Sequence, residues 1–294
     1  MLGTLLSILI LGAMISAVYA LIAIGFTMIF GVGGVLNLAH GALIMIGAFA
    51  YLGLTSTGGM LSLPPMVGFV IAVAVSAGAS YAMYAGLVQF IEENVVITFL
   101  ATVVLALLAT ELVTFWFGTD PYQLVPLVAG SLHLENVGTR VRYMELLGFV
   151  ISWIAIGLLW YYVTQTDEGR SILATSMSER GAQLTGVDLD FVKSRTWLIA
   201  GAFAGIAGVF LGSLLSTYPV MWLNPLAIAF IIVVIGGIGS IKGSVVAAYL
   251  IGYLETVTIQ FLGSSFQGIF SLVVLVVVLL VLPQGLYGRE FVHE

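Results

Sequence analysis

The sequence predicts an all-α polytopic membrane protein with about nine transmembrane segments, some of them broken, and with an internal repeat. Of its 294 residues, 61% are hydrophobic and only 7% are charged, whereas about 25% of the residues of a soluble domain are charged. The apolar runs are long and continuous, as in Phe270–Leu282, which favours helices over the alternating strands of a membrane β-barrel. Because so few charges cannot hydrate the surface of a chain this long, the composition excludes a soluble fold.

Nine apolar segments account for the predicted helices. A helix needs about 20 apolar residues to cross about 30 Å of hydrocarbon. The predicted segments are residues 4–30, 41–54, 66–91, 95–117, 146–166, 195–217, 226–240, 243–262 and 268–288. Two of them, 41–54 and 226–240, are too short to cross unaided and adjoin glycine-rich stretches, so each is interpreted as part of a broken helix. The first segment is interpreted as a membrane helix and not as a cleaved signal peptide, because no basic residues precede its apolar run.

Two polar loops, 118–145 and 167–194, set the predicted orientation. The second loop and its edge carry four of the eight basic residues of the chain, namely Arg170, Arg180, Lys193 and Arg195. Loops rich in Lys and Arg stay in the cytoplasm, so the loop 167–194 and the C-terminal tail are predicted to lie there. Five segments precede this loop and four follow it, which places the N-terminus outside and the C-terminus in the cytoplasm. The predicted location is the plasma or inner membrane of the cell.

A short sequence match suggests that the single membrane domain, 1–294, contains two related halves. Residues 23–34 and 227–239 both run from an Ala-Ile-X-Phe sequence into a cluster of three glycines. Paired segments interrupted by glycine are typical of transporters and point to the site of translocation. The predicted halves span about 10–117 and 195–288.

The first glycine-rich stretch, Gly31–Gly41, interrupts an apolar helix with four glycines, Asn37 and His40. Backbone outside a helix is tolerated at membrane depth only where protein or a water-filled cavity covers it, and its free N–H and C=O groups suit a zwitterionic solute. Asn37 and His40 are costly in lipid and should face the protein interior. We therefore predict a substrate path or gate at Gly33, Gly34, Asn37 and His40. The alternative is that the glycines only permit close helix packing.

The second stretch, Gly236–Gly243, predicts a similar break. Its candidate path or gate residues are Gly237, Gly239 and Ser240, with the same packing alternative. Lys242 lies near a helix end, from which its side chain can reach the membrane surface. The stretch lacks the Walker spacing and no strand precedes it, so it does not predict nucleotide binding.

The loop 167–194 is predicted to dock on a soluble partner. Ile172, Leu173 and Ser176 share helical spacing with Glu179 and Arg180, and a short helix with both charged and apolar groups outside the membrane suits docking. Gly186 and Asp188 are interpreted as a helix stop and a helix restart. The predicted coupling residues are Arg170, Glu179, Arg180, Gly186 and Asp188. An ordinary connector is the alternative, but about 28 residues is long for one.

Other chemistry has little support in the sequence. The two acids inside predicted spans, Glu111 and Glu255, could relay protons or serve as hydrogen-bonded structural groups. No nucleophile and base have catalytic spacing, the chain has no Cys, and its three His are scattered, so we predict no enzyme activity, no cofactor and no metal site. The net charge of −6 argues against nucleic acid as a partner.

Five pieces of the sequence, in order, resemble the permease subunits of branched-chain amino-acid ABC importers, of the LivH type. They are Tyr19–Gly41, Phe117–Pro121, Gly169–Arg170 with Leu184–Val187, Ile199–Gly208 and Ile235–Ser240. The resemblance implies a heterodimer with a related permease, two cytoplasmic ATPase subunits and an extracytoplasmic solute-binding protein. It also implies that the loop 167–194 is the coupling element and that the permease itself holds no ATP. Val88–Asn94 departs from the family, because it is short and acidic where the family carries a basic stretch, and this puts a second ATPase contact there in doubt.

The function expected from this resemblance is ATP-driven import of amino acids, with the branched-chain type first, or of related small amides. Urea and some aromatic acids fall within the same resemblance. The alternatives are an ion- or proton-coupled secondary transporter that uses Glu111 and Glu255, and a channel.

Overall fold

The computed structural model describes residues 2–56, 61–134 and 139–288, and helices dominate it. The helices are α1 Leu2–Gly33, α2 Ala39–Thr55, α3 Pro65–Gly86, α4 Val95–Phe117, α5 Tyr143–Gln165, α6 Asp167–Met177, α7 Glu179–Leu184, α8 Leu189–Leu214, α9 Leu223–Gly236, α10 Ile241–Leu262 and α11 Ile269–Val281. Two short strands, β1 Ser131–Leu134 and β2 Thr139–Arg142, pair antiparallel. Short 3-10 turns follow α3 and α10, at Val88–Phe90 and Ser264–Phe266.

The predicted all-α polytopic membrane fold is confirmed. Within the described residues, seven helical stretches are long and apolar enough to cross a membrane: Gly3–Gly33, Pro65–Phe90, Val95–Phe117, Tyr143–Gln165, Leu189–Leu214, Ile241–Leu262 and Ser264–Val281. The shorter apolar helices are α2 and α9, which correspond to the two predicted segments that cannot cross unaided. The seven long stretches and the two short helices account for the nine predicted segments.

Two boundaries differ from the prediction for identifiable reasons. α8 begins at Leu189, inside the predicted loop, because the Asp188 carboxylate accepts a hydrogen bond from the backbone N–H of Phe191 at 3.1 Å and so caps the first turn. α11 ends at Val281 rather than 288 because the chain beyond it turns back over α9. There the N–H of Leu286 donates to the carbonyl of Ile235 at 2.8 Å. Arg289, which contributed to the predicted cytoplasmic tail, lies outside the described residues.

The bundle has two ends that can be told apart by their connections. One end, called here the α6–α7 end, carries those two helices, the α3–α4 connection and the start of α10. The other, called the hairpin end, carries β1 and β2, a feature that the sequence did not predict within the loop 118–145. Val141 of β2 is 4% exposed and anchors the hairpin against the bundle. The α8–α9 connection also lies at the hairpin end, where Thr217 exchanges two backbone hydrogen bonds with Tyr122 at 2.8 and 2.9 Å.

Helix α8 lies at the centre of the bundle and packs closely through small residues. Its glycines are Gly201, Gly205, Gly208 and Gly212. A Cβ on Gly205 would lie 2.8 Å from that of Ser76 on α3, and one on Gly47 of α2 would lie 2.7 Å from the Cα of Gly205. The hydroxyl of Ser80 on α3 also donates to the carbonyl of Trp197 at 2.6 Å. Small residues at such contacts let helix backbones approach and gain van der Waals contact in lipid, where the hydrophobic effect does not hold helices together.

A second close contact joins α1 to α10. A Cβ on Gly12 would overlap the Tyr253 ring, and Gly252 packs in the same way against Ser16. One helix turn from the α6–α7 end of α10, the hydroxyls of Thr27 and Ser244 share a hydrogen bond at 2.5 Å. The α1–α10 and α3–α8 pairs are the most extensive helix contacts of the bundle.

We expect Gly208→Ala to destabilise the protein by about 1–3 kcal/mol, because its Cβ would overlap the carbonyl group of Ile44 on α2. The measurement is thermal unfolding of the purified protein in detergent. The matched control is Gly157→Ala on α5, where the new methyl meets nothing within 4 Å. In that open position alanine is expected to leave stability unchanged or to raise it by about 0.5–1 kcal/mol. Equal effects of the two substitutions would contradict the packing role of α8.

Candidate functional site

The first glycine-rich stretch forms a short break between α1 and α2, at residues 34–38. Gly34 has φ +62°, a conformation that favours glycine, and its N–H still donates to Phe30 at 2.9 Å. From there the chain turns back into the bundle. The N–H of Leu38 donates to the hydroxyl of Thr102 on α4 at 3.2 Å, and α2 begins at the next residue.

Asn37 and His40 lie buried where α2 begins. The Nε2 of His40 is 3.1 Å from the carbonyl oxygen of Ile22, which lies 11 residues, or about 16 Å along the helix, before the end of α1. α2 therefore starts within the bundle and not at its surface. Among the described residues, the Asn37 side-chain oxygen and nitrogen and the His40 Nδ1 have no hydrogen-bond partner. Both side chains face the protein interior, as the sequence predicted, and each carries unused polar atoms.

The second glycine-rich stretch lies at the α6–α7 end, beside the first. Gly237 and Gly239 have φ +96° and +81°. A Cβ on Gly31 would lie 3.0 Å from the Cα of Gly239, so the two stretches touch there. The Ser240 hydroxyl accepts from the N–H of Gly243 at 3.1 Å and caps α10.

Gly237 lies away from the first stretch, under the folded-back residues 282–288. A Cβ on Gly237 would overlap the backbone N of Gly288, and the N–H of Tyr287 donates to the neighbouring Gly236 carbonyl at 3.0 Å. The structure thus brings Gly239 and Ser240 to the end of α1, whereas Gly237 serves a close backbone contact.

A shallow recess of about 300 Å³ joins the end of α1 to the α6–α7 junction. Its lining comes from two segments, residues 30–34 and 175–179. Gly33 and Gly34 therefore lie next to Glu179, so the predicted gate and the predicted coupling loop share one cavity. Sequence spacing gave no indication of this contact.

The predicted helix stop and restart in the loop 167–194 are confirmed. Gly186 ends α7 with φ +87°, and the N–H of Val187 reaches back to the carbonyl of Ala182 at 3.1 Å. Asp188 caps α8. Two further caps, Thr166 for α6 and Ser178 for α7, give the loop a fixed path.

Lys193 ties this loop to the α3–α4 connection. It lies in the first turns of α8 and is 7% exposed. Its Nζ is 2.9 Å from a carboxylate oxygen of Glu92 and 3.1 Å from one of Glu179. Local sequence pattern does not indicate this arrangement, because Glu92 is 101 residues away from Lys193. The acidic α3–α4 connection is therefore joined through Lys193 to the predicted coupling loop.

The outer side of α6 and α7 is exposed and partly apolar. Leu173, Met177 and Leu184 are 44%, 63% and 82% exposed. Arg170 and Arg180 are exposed beside them, and Arg170 pairs with Asp167 at 3.5 Å. Apolar side chains exposed outside the apolar spans mark a surface for protein contact.

The two acids of the spans have opposite environments. Glu255 is 3% exposed, accepts from the N–H of Gly268 at 3.0 and 3.1 Å and pairs with the Ser271 hydroxyl. It thus caps α11. Glu111 is exposed on the outer side of α4. Among the described residues, no group of histidines and acids could hold a metal ion.

Comparison with known proteins gives one family for nearly the whole chain. A family model described as "Branched-chain amino acid transport system / permease component" matches residues 8–282. The chain is similar to the high-affinity branched-chain amino acid transport system permease proteins LivH of Escherichia coli, at 27% identity, and BraD of Pseudomonas aeruginosa, at 28%. Both matches cover 96% of this chain and 95% of the relative.

A more distant similarity extends to sugar transport. The ribose import permease protein RbsC of Haemophilus influenzae is 26% identical over 90% of this chain and 81% of its own length. No solved structure matches the chain.

We expect Glu92→Gln to destabilise the ion-pair cluster around Lys193 more than Glu179→Gln does, because the Glu92 side chain is 17% exposed and that of Glu179 is 45%. Removing one partner of a buried ion pair costs up to about 3–5 kcal/mol, whereas exposed pairs contribute about 0–1 kcal/mol. The expected losses are about 2 kcal/mol for Glu92→Gln and under about 1 kcal/mol for Glu179→Gln. Hydrogen exchange of the amides in residues 178–188 measures both.

The control for this pair is Asp167→Asn, which removes a fully exposed carboxylate from the same loop. It should leave the exchange of residues 178–188 unchanged. If neither Glu92→Gln nor Glu179→Gln raises the exchange of residues 178–188 above that of Asp167→Asn, the bridge through Lys193 does not hold the loop.

Proposed function

Since the chain belongs to the family of permease components of branched-chain amino acid transport systems, we propose that it imports branched-chain amino acids as the membrane subunit of an ABC importer. ATP hydrolysis on partner subunits drives the transport. The observation that carries this proposal is the recess between the end of α1 and α6–α7, because it connects an exposed docking surface to a broken helix. A movement of α6 and α7 would act directly on Gly33 and Gly34.

The orientation follows from the basic residues. Five of the eight lie at the α6–α7 end: Arg170, Arg180, Lys193, Arg195 and Lys242. Arg140 and Arg142 lie at the hairpin end. The positive-inside rule then puts the α6–α7 end in the cytoplasm, with the N-terminus outside and the C-terminus inside the plasma or inner membrane.

The proposed partners follow from this orientation and from the family. Two ATPase subunits bind at the cytoplasmic surface, through α6 and α7 of this chain and the matching helices of a related permease. Leu173, Met177 and Leu184 supply apolar contact, and Arg170 and Arg180 supply charge. Gly186 and Asp188 hold the surface in place, and Glu179 joins it to α8. A solute-binding protein delivers the amino acid at the hairpin end.

The proposed gate is the break at residues 34–38. A buried polar group without a partner costs about 1–3 kcal/mol, and the Asn37 amide and the His40 Nδ1 are such groups. An alternative conformation in which these atoms meet substrate, water or backbone would repay that cost. Gly239 and Ser240 border this region from the second stretch. Gly237 contributes by holding the folded-back chain against α9.

We also propose that residues 10–117 and 195–288 are inverted halves, in which α1–α4 correspond to α8–α11. The packing supports this assignment: exchanging the halves converts the α1–α10 contact into α8–α3 and the α2–α4 contact into α9–α11, and all four contacts occur. α1 runs towards the α6–α7 end and α8 runs away from it. The glycine match in the sequence instead pairs the end of α1 with the end of α9. The helix packing and the glycine motif therefore support different alignments of the two halves.

A proton-coupled mechanism through both acids is less well supported. Glu255 accepts from the N–H of Gly268 and from the hydroxyl of Ser271 at the start of α11, so its carboxylate is already committed. Glu111 alone offers no relay through the described part of the chain.

We expect Leu184→Ser to abolish most ATP-driven uptake, by about tenfold or more, because it removes the most exposed apolar contact of α7. The measurement is amino acid uptake by proteoliposomes that contain the whole importer, with its binding protein outside and ATP inside. Uptake by the native importer should require ATP. Uptake that survives without ATP and responds to a proton gradient would overturn the proposed function.

The matched control is Leu132→Ser on β1, which is 47% exposed at the opposite end. This variant should co-purify with the ATPases as well as the native chain does, whereas Leu184→Ser should not. Equal co-purification of the two variants would remove α7 from the docking surface.

We expect Asn37→Ala to lower uptake several-fold while leaving the melting temperature unchanged, because the Asn37 amide bonds nothing in this conformation. The comparison is Ser76→Ala on α3, whose hydroxyl lies 2.9 and 2.8 Å from the carbonyl oxygens of Leu43 and Gly201. That variant should lose about 1 kcal/mol of stability. If Asn37→Ala melts earlier but transports normally, Asn37 is a packing residue.

A further inference from the structure

Glu111 lies on α4 at a depth where hydrocarbon is expected. It is six residues, or about 9 Å, before Phe117 at the hairpin end of the helix. Phe115 and Trp116, which are 85% and 65% exposed, lie between it and that end, where aromatic side chains typically meet the membrane surface. Glu111 therefore lies below the interface, on the membrane side of these rings.

The side chain of Glu111 points away from the bundle. It is exposed and makes no hydrogen bond or ion pair within residues 2–56, 61–134 and 139–288. The rotation of α4 is set by the next residue towards the N-terminus. The hydroxyl of Thr110 is buried and accepts from the indole N–H of Trp222 at 2.9 Å. A rotation that carried Glu111 inward would break this bond.

A comparison with α11 separates this face from a lipid-facing one. α11 buries Ser271 and Leu275, and its outer face consists of Leu272, Val273, Val276, Val277, Leu280 and Val281. α4 also buries only a narrow stripe, which packs against α2, but its outer face includes a carboxylate. An ionisable side chain within a span costs at least about 2.5–3.5 kcal/mol when it faces lipid, and such groups face protein or water.

The chemistry beside Glu111 suits a zwitterion. Trp222, which bonds α4, is the residue immediately before α9, and no side chain caps that helix. In the first turn of α9, Pro225 has no N–H and that of Leu223 already donates to a carbonyl, so the free N–H is that of Asn224, which can meet a carboxylate. Asn224 in the first turn of α9 is exposed as well. A negative side chain on α4 thus neighbours a helix start with partial positive charge.

We propose that Glu111 lines a water-filled passage between this chain and the related permease subunit and binds the ammonium group of the amino acid in transit. The start of α9 then faces the carboxylate of the same molecule. This inference rests on the proposed function for the substrate class. It adds a binding residue outside the two glycine-rich stretches, on the face of α4 that the partner subunit covers.

Solvent access at this position can be tested directly because the chain has no cysteine. The variants are Glu111→Cys and, as a matched control, Val276→Cys on α11, which is 55% exposed and about 10 Å from the hairpin end of its helix. The assembled importer is treated with a cationic, membrane-impermeant methanethiosulfonate, and labelling of this subunit is followed by mass. We expect the cysteine at 111 to react at least tenfold faster. Equal, slow reaction at both positions would overturn the proposal.

The ligand role is tested with Glu111→Gln, which keeps size and removes charge. We expect the importer to assemble with its ATPases and uptake to fall about tenfold, and we expect substrate with its binding protein to slow labelling at position 111. Normal uptake by Glu111→Gln would overturn the ligand role. Failure of the two permeases to co-purify would also overturn it, since Glu111 would then pair with the partner subunit. The native importer's dependence on ATP reports separately on the proposed function.

Discussion

Every backbone N–H and C=O group at membrane depth needs a partner from the protein, and this constraint decides where the chain can leave the helical state. It does so inside the bundle between α1 and α2, and again between α8 and α9. In the first place Thr102 on α4 accepts the N–H of Leu38. In the second, Tyr122 pairs with both backbone groups of Thr217. The broken helices therefore depend on groups supplied by α4 and by the loop after it, so α4 supports the site although it packs against little else.

Close packing of small residues turns these breaks into a fixed geometry. The glycines of α8 let α2 and α3 approach its backbone, and this holds the buried start of α2 beside α1. The same helix begins at Leu189, inside the predicted coupling loop, and carries Lys193 in its first turns. One rigid element thus connects the proposed docking surface, the α3–α4 connection and the break. A displacement of α7 would reach α8 through the ion pair with Glu179 and α1 through the shared recess.

The sequence predicted what depends on local pattern. Apolar length predicted about nine membrane segments, glycine clusters predicted the two short ones, and Gly186 with Asp188 predicted a helix stop and a restart. The sequence did not predict contacts between residues that lie far apart along the chain. Glu92 is 101 residues from Lys193, and nothing in a short acidic stretch indicates that it binds a lysine of the same chain. Gly237 resembled Gly239 in sequence, yet only the folded-back chain beyond α11 shows that a backbone covers it. The hairpin was missed because its four-residue strands carry too little alternation to distinguish them from a loop.

Glu111 and Glu255 show most clearly what a structure adds. Each is a single acid within an apolar helix, and the sequence assigned both to one possible proton relay. In the fold, Glu255 meets an N–H and a hydroxyl at the start of α11, so the protein already solvates its charge. Glu111 meets no hydrogen-bond donor of the described chain, because the hydrogen bond between Thr110 and Trp222 keeps the Glu111 side chain on the outer face of α4. A carboxylate that its own chain does not solvate must be solvated by water, a partner or a ligand. The outer face of α4 is therefore incomplete in the single chain, which is the condition expected from the proposed passage between this chain and a second permease subunit.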